Sequence, residues 1–280
     1  MRIGSTMGNR YDLRGLEPLD GSPFPVFVSA GGATRGRSVA QRAARTVAWL
    51  DQVVGMPEAP PLFVVGPGQW DQVAAIPLYG MPHVESDRIV VGQEPAPFWA
   101  SVTGAIVPML KPPGLRRLHQ VYGDPIDLGT FADLLVSHEL THLAHGPAWA
   151  DGPVTFWLKE LAANLGLQGY VTEVEPAEQT RLETAFEVTW AAAPEGHWPV
   201  RDLARMADSL DGDGSNYVWF EFGLQVLAKR LWQAAGATAL QRVVQALRGP
   251  MLDLPAVLGL LEELDPGVAR AIRDWPRFAS

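Results

Sequence analysis

The chain has no cysteine. Disulfides and thiolate metal sites are therefore excluded, and any metal has to be held by histidine and carboxylate. Positive charge is also short: 22 lysines and arginines stand against 31 aspartates and glutamates, for a net charge of −9. The basic residues form no cluster beyond short pieces such as Arg116-Arg117, so nucleic acid is not an expected partner. No apolar run approaches the roughly 18 residues needed to cross a bilayer, so a membrane is not expected either. Residues 1–20 are polar and lack the apolar core of a secretion signal, which makes the cytoplasm the expected compartment. Histidine is scarce, with six in 280 residues.

The rest of the composition is that of an ordinary globular chain, with 47% hydrophobic and 19% charged residues. Its length allows one large domain or two tightly packed lobes. Residues 1–22 read as a loose leader, 23–126 as an α/β lobe and 127–280 as a helical lobe, the two lobes together counting as one compact domain. Short strands are predicted at Pro25–Ser29, Pro61–Val65 and Arg88–Val91, with a helix over Ser38–Val54 whose apolar face carries Val39, Ala43, Val47 and Leu50. Gly80–Asp87 reads as a loop, and Pro95–Pro125 is too rich in proline and glycine to assign. Beyond Leu128 the pattern is helical: the helix around residue 138, then Pro153–Tyr170, Arg181–Trp190, the apolar Tyr217–Trp232, Thr238–Leu247, Leu254–Leu261 and Gly267–Trp275. Gly212-Asp213-Gly214 reads as a turn, because the twelve-residue pattern of a calcium loop is absent.

Two of the six histidines fall in Ser137-His138-Glu139-Leu140-Thr141-His142, an HExxH motif. Residues four apart on a helix share a face, with Cβ atoms about 6 Å apart. Both imidazoles can then reach one Zn²⁺, and the glutamate between them can take a proton from a metal-bound water. Thr130 and Asp133 resemble a capping box at the start of the motif helix. Phe131, Leu134, Leu135, His138 and His142 make one stripe, and Gly146-Pro147 ends the helix. The motif therefore reads as the centre of a zinc hydrolase, against the plainer reading of a core helix with two satisfied histidines.

Catalytic zinc takes three protein ligands and keeps one position open. Glu160, on the next predicted helix, is the best third ligand, because a carboxylate on an apolar face needs a partner. The competing reading is a solvated glutamate beside Lys159. His145 shares the motif face and is either a rival ligand or a residue behind the ligands or at the rim. It does not fit the metzincin pattern, whose third histidine comes later and after a glycine. His83, His119 and His197 are isolated and read as loop or packing residues.

His138-Glu139-x-x-His142 followed by Trp157-Leu158-Lys159-Glu160-Leu161-Ala162 resembles the gluzincin metallopeptidases, above all the aminopeptidase-N-like and thermolysin-like group. The strand, helix and strand opening is similar to the bacterial peptidase MA-like proteins of the same superfamily. The specific part of the likeness spans about residues 130–170 and the looser part about 25–275. It implies an α+β, zincin-like fold: a small mixed N-terminal sheet with helices, packed against a mainly helical C-terminal half that carries the HExxH helix. It also implies one Zn²⁺ per chain, bound by His138, His142 and Glu160, with Glu139 as general base and a peptide or protein as substrate. The interval to Glu160 is one residue shorter than in the aminopeptidases.

Asn164 stands where thermolysin-like enzymes carry an acidic residue that orients a zinc histidine; a plain buried or surface asparagine is the alternative. Tyr217 resembles the family's oxyanion donor, with Phe220 where the family has glycine; a tyrosine anchoring its helix start is the alternative. No counterpart of the GAMEN strand that grips a free α-amine is found, so an endopeptidase or a peptidase of narrow specificity is expected. The cleft is expected between sheet and helices, with Arg88–Val91 as the edge strand that aligns an extended peptide. The runner-up enzyme hydrolyses another amide or a small ester. The rival from another class is a non-catalytic zincin-fold module that binds a peptide or protein, against which the intact Glu139 counts.

Overall fold

The computed structural model describes residues 13, 15–85, 87–145, 153–193, 195–210 and 214–275. They build a mixed α+β fold that is mostly helical around a small five-stranded sheet. In chain order the elements are β1 (Glu17–Pro18), β2 (Val26–Val28), α1 (Ala33–Val54), β3 (Leu62–Val65), α2 (Trp70–Val73), β4 (His83–Val84) and β5 (Ile89–Gly92). These are followed by α3 (Pro97–Ile106), α4 (Pro112–Tyr122), α5 (Gly129–Ala132), α6 (Leu135–Ala144), α7 (Pro153–Glu173) and α8 (Gln179–Ala192). The last helices are α9 (Ser215–Ala235), α10 (Ala237–Arg248), α11 (Leu254–Leu264) and α12 (Pro266–Arg273). An eight-residue 3-10 segment, Leu203–Leu210, precedes α9.

The sheet runs β1-β2-β3-β5-β4. β2, β3 and β5 are parallel, while β1 and β4 add to the two sides in antiparallel fashion. A parallel pair needs a crossover, and α1 supplies it between β2 and β3. The central strands are apolar at every position because both faces of the sheet are covered. Val26, Val28, Leu62, Val64, Ile89 and Val91 join the main core. Phe27, Phe63, Val65 and Val90 face a smaller cluster with Leu16, Trp70 and Val73.

Several local expectations change. Of the expected leader, residues 1–12 lie outside the described residues, and Glu17–Pro18 pair with β2. Helix α1 starts five residues before Ser38. Gly36 hides this in the sequence, since glycine is a poor helix former. In the fold a Cβ at Gly36 would lie 2.7 Å from Val28 Cγ1, so glycine lets α1 press onto β2. Thr46 and Trp49 are buried on α1, whereas Val47 is only half-buried. Pro95–Pro125 contains two helices, α3 and α4, each with proline in its first turn, where the missing N–H costs nothing.

The segment 80–87, expected as a loop, contains β4. This corrects the expected sheet edge: β5 is flanked by β3 and β4, so the edge strand is β4 and not Arg88–Val91.

The expected capping box before the motif helix does not form. Thr130 Oγ1 donates to the Asp127 carbonyl instead, α5 stops at Ala132, and α6 begins at Leu135. Asp133 is engaged from far away in sequence. Arg35 of α1 grips its carboxylate with two hydrogen bonds of 3.0 and 2.7 Å, and Arg42 donates to its carbonyl at 3.1 Å. Arg35 Nε also donates to the Gly92 carbonyl at the end of β5. Two arginines of α1 therefore hold the chain where the motif helix starts.

Gly146 and Pro147, expected to end that helix, lie outside the described residues, as do Gly212 and Asp213. At the C-terminal end of α6, Arg248 of α10 donates from Nε to the Ala144 carbonyl at 2.9 Å. The same guanidinium donates to the Val54 and Gly55 carbonyls at the end of α1, at 2.7 and 2.6 Å. One cation so satisfies the exposed carbonyl ends of two helices.

Helix α7 is the axis of the helical part. From Trp157 to Val171 every residue is buried except the half-buried Lys159. A helix apolar nearly all round belongs inside a core, and α7 packs on α6, α9 and α10. Each fully buried leucine there contributes about 1.5–3 kcal/mol. No described helix is long and apolar enough to cross a membrane.

Candidate metal centre

Helices α6 and α7 meet at glycine. A Cβ at Gly166 would lie 2.0 Å from Thr141 Oγ1, so the two backbones approach as closely as a missing side chain allows. Thr141 Oγ1 itself donates to the Ser137 carbonyl, and Ser137 Oγ lies 2.8 Å from Thr46 Oγ1 of α1. These fully buried hydroxyls fix the rotation of α6 about its axis. The inner face it then presents to α7 carries His138 and His142, and α7 answers with Glu160.

One donor atom from each of His138, His142 and Glu160 lies within 4.8 Å of the others. Glu160 Oε2 is 3.2 Å from His138 Nε2 and 3.3 Å from His142 Nε2, and the two Nε2 atoms are 3.2 Å apart. Glu160 is only 7% exposed, which rules out the solvated alternative. His145 is not among the converging donors. Its Nε2 lies 3.2 Å from His142 Nδ1, where it backs that ring. Asn164 Oδ1 lies 3.1 Å from His138 Nδ1.

These contacts test whether the residues fit a metal. Asn164 gives its amide N–H to Glu221 Oε2 at 3.0 Å, so its oxygen is the end that faces His138. An oxygen acceptor requires the proton on Nδ1, and a neutral ring then offers only a lone pair at Nε2. Glu160 Oε2 is buried, with the two imidazole Nε2 atoms beside it. Lone pairs crowded this closely repel unless a cation sits among them. Two imidazoles and a carboxylate are a donor set suited to a transition metal ion. The buried group is thus able to bind a metal ion.

The site opens into a cavity of about 440 Å³, within the usual range for small-ligand pockets. Met81, His83 and Val84 at the sheet edge form one wall, and Glu139, Tyr217, Glu221 and Leu210 line others. The electrostatics are strained by burial. Burial opposes charge on His138, but the Glu160 carboxylate beside Nε2 and the carboxylates around it outweigh it and lift the ring to about 9, so the place at Nε2 that a metal ion would take is otherwise one for a proton. Burial likewise works against the Glu160 carboxylate, yet His142 and His138 hold it well below the ordinary carboxylate range. Glu139 is raised, by burial first, with both histidines opposing. Glu221 is pushed up to about 7 by burial and then by the Glu160 charge. Tyr217 is driven well above its ordinary value by burial and the surrounding carboxylates.

No known protein family, curated protein or solved structure matches this chain. The geometry therefore carries the functional reading alone.

All seven candidate residues, His138, Glu139, His142, His145, Glu160, Asn164 and Tyr217, lie in or directly behind this cavity. His119 and His197 lie outside it, the first on α4 near the Gly123 carbonyl, the second edge-on to Trp198. Two lining residues escaped the sequence reading. His83 looked like a loop histidine, but β4 carries it to the cavity wall. Glu221 is a carboxylate on a strongly apolar helix, one turn after Tyr217. A carboxylate on an apolar helix face needs a partner, which is the same signal that marks Glu160.

Proposed function

We propose that this chain is a zinc-dependent metallopeptidase of the gluzincin type, with His138, His142 and Glu160 as ligands. The observation that carries the reading is the convergence of the buried Glu160 Oε2 and two imidazole Nε2 atoms, with Glu139 in the same cavity. Nitrogen-rich donor sets favour zinc over magnesium or calcium, which prefer oxygen. When bound, the ion would act as a Lewis acid on a carbonyl and lower the pKa of a water.

The chain's own residues would do the rest. Glu139, its pKa raised by burial, is tuned to take a proton from the attacking water and return it to the leaving amine nitrogen. Tyr217 stays protonated because burial holds its pKa high, so its hydroxyl can donate to the developing oxyanion. His145 and Asn164 hold the rings of His142 and His138 in the orientation that frees Nε2. The short edge strand β4, beside α6, offers backbone groups to an extended peptide. The exposed Ile76 and Leu210 at the rim favour apolar flanking side chains.

Metal analysis of wild type beside Glu160→Ala, followed by turnover of a general peptide library, tests this. One zinc per chain, lost or much weakened in the variant, together with cleavage supports the reading. A wild type that takes up no zinc on reconstitution overturns it in favour of a binding module.

A further inference from the structure

Glu221 has no part in the ligand set, yet it occupies the cavity wall on α9. Its Oε2 accepts from Asn164 Nδ2 at 3.0 Å, while Asn164 Oδ1 faces His138 Nδ1 at 3.1 Å. Its Oε1 is buried without a hydrogen-bond partner. An asparagine side chain has a donor end and an acceptor end of nearly the same shape, and nothing in that shape decides which faces the histidine. Turned the wrong way, the NH₂ group would face Nδ1. The proton would then move to Nε2, where it would occupy the lone pair that points at Glu160. A carboxylate oxygen selects the NH₂ end and settles the choice.

We propose that Glu221 is a positioning residue for the metal centre: it orients the Asn164 amide, which in turn fixes the proton of His138 on Nδ1. The role reaches a second group. Tyr217 lies one turn earlier on α9, and hydrogen bonding to Glu221 is among the influences on its hydroxyl. The inference rests on the metallopeptidase reading for its purpose, but not for its geometry, which is present without any ion.

The test compares Glu221→Leu with Glu221→Gln. Glutamine keeps a carbonyl oxygen to accept from Asn164, and leucine does not. The first readout is the His138 Nδ1–H resonance in ¹⁵N-labelled, metal-free protein, where the hydrogen bond to Asn164 slows exchange with water. The second is zinc affinity by chelator competition. Glu221→Leu is expected to lose or shift the resonance and to weaken zinc binding by about 10–100-fold. Glu221→Gln is expected to keep the resonance and to stay within about threefold of wild type on the same scale.

A folded Glu221→Leu protein with both readouts unchanged overturns the proposal. So does a Glu221→Gln protein that loses as much as the leucine variant. If Glu221→Leu does not fold, Asn164→Asp combined with Glu221→Gln carries the test. Aspartate offers an oxygen to His138 either way round, and glutamine can donate to it. Near-wild-type affinity in that pair supports the proposal, and loss comparable to Asn164→Leu overturns it. A wild type that binds no zinc, but whose resonance responds to Glu221→Leu, sinks the metallopeptidase reading and leaves the positioning role standing.

Discussion

Gly166 on α7 lies directly against Thr141 on α6, so that a Cβ added at 166 would stand 2.0 Å from Thr141 Oγ1. Both residues are buried, and the ligands project from the same two helices. Gly166→Ala must push the helices apart or turn them. We expect a loss of about 1–3 kcal/mol by urea unfolding, with weaker zinc binding. Adding Thr141→Ala should restore part of both, because it removes Oγ1 and Cγ2, at 2.0 and 2.5 Å, and leaves only Cβ at 2.7 Å in conflict. A single variant as stable as wild type would show that the helices are not held at this contact.

Glu139→Gln keeps the shape and removes the base. Zinc content should be unchanged, while peptide turnover should fall by about 10²–10⁴-fold. Full turnover in a zinc-replete variant would assign the proton transfer to another group.

Arg248→Ala should leave three carbonyl groups, those of Val54, Gly55 and Ala144, without their shared donor. The residue is exposed, so water replaces part of the loss. A destabilisation of about 1–2 kcal/mol is expected. The change should appear as faster amide exchange at the C-terminal ends of α1 and α6, ahead of the rest of the protein.

Acid stability should depend on Glu175. Burial works against its charge, but hydrogen bonds from Arg42, Tyr170 and Arg45 hold its pKa down to about 2. An unfolded glutamate titrates near 4.3. A depressed folded value stabilises the protein above the unfolded pKa, and that share is lost as pH falls from about 4.3 toward 2. In urea titrations between pH 6 and pH 3, Glu175→Gln should flatten the decline seen in wild type. A decline of the same steepness in the variant would place the acid-sensitive group elsewhere.

The long helices were legible because their apolar patterns run over several turns: α7 and α9 stand within three residues of their expected bounds, whereas α1 starts five residues before Ser38 and the motif helix α6 is only ten residues long. The site was legible because the HExxH spacing sets His138 and His142 on one face of α6, and because Glu160 is a carboxylate on an otherwise mostly apolar helix. What escaped depended on distant partners. Asp133 looked like a local cap, but its carboxylate belongs to Arg35, 98 residues earlier. The two-residue β4 has no pattern of its own and exists because β5 pairs with it. Glu221 lies within an apolar run, and its partner Asn164 stands 57 residues earlier, on another helix.

Because α7 has almost no face toward water between Trp157 and Val171, it leaves little room for divergence. A substitution along it disturbs packing on several sides at once, so the chemistry it carries is hard to retune from within. Changes in what the cleft accepts could accumulate more freely at the exposed Ile76 and Leu210, where a side chain can be exchanged without repacking the interior. For anyone redesigning the protein, these rim positions are the ones to randomise, with α7 left untouched.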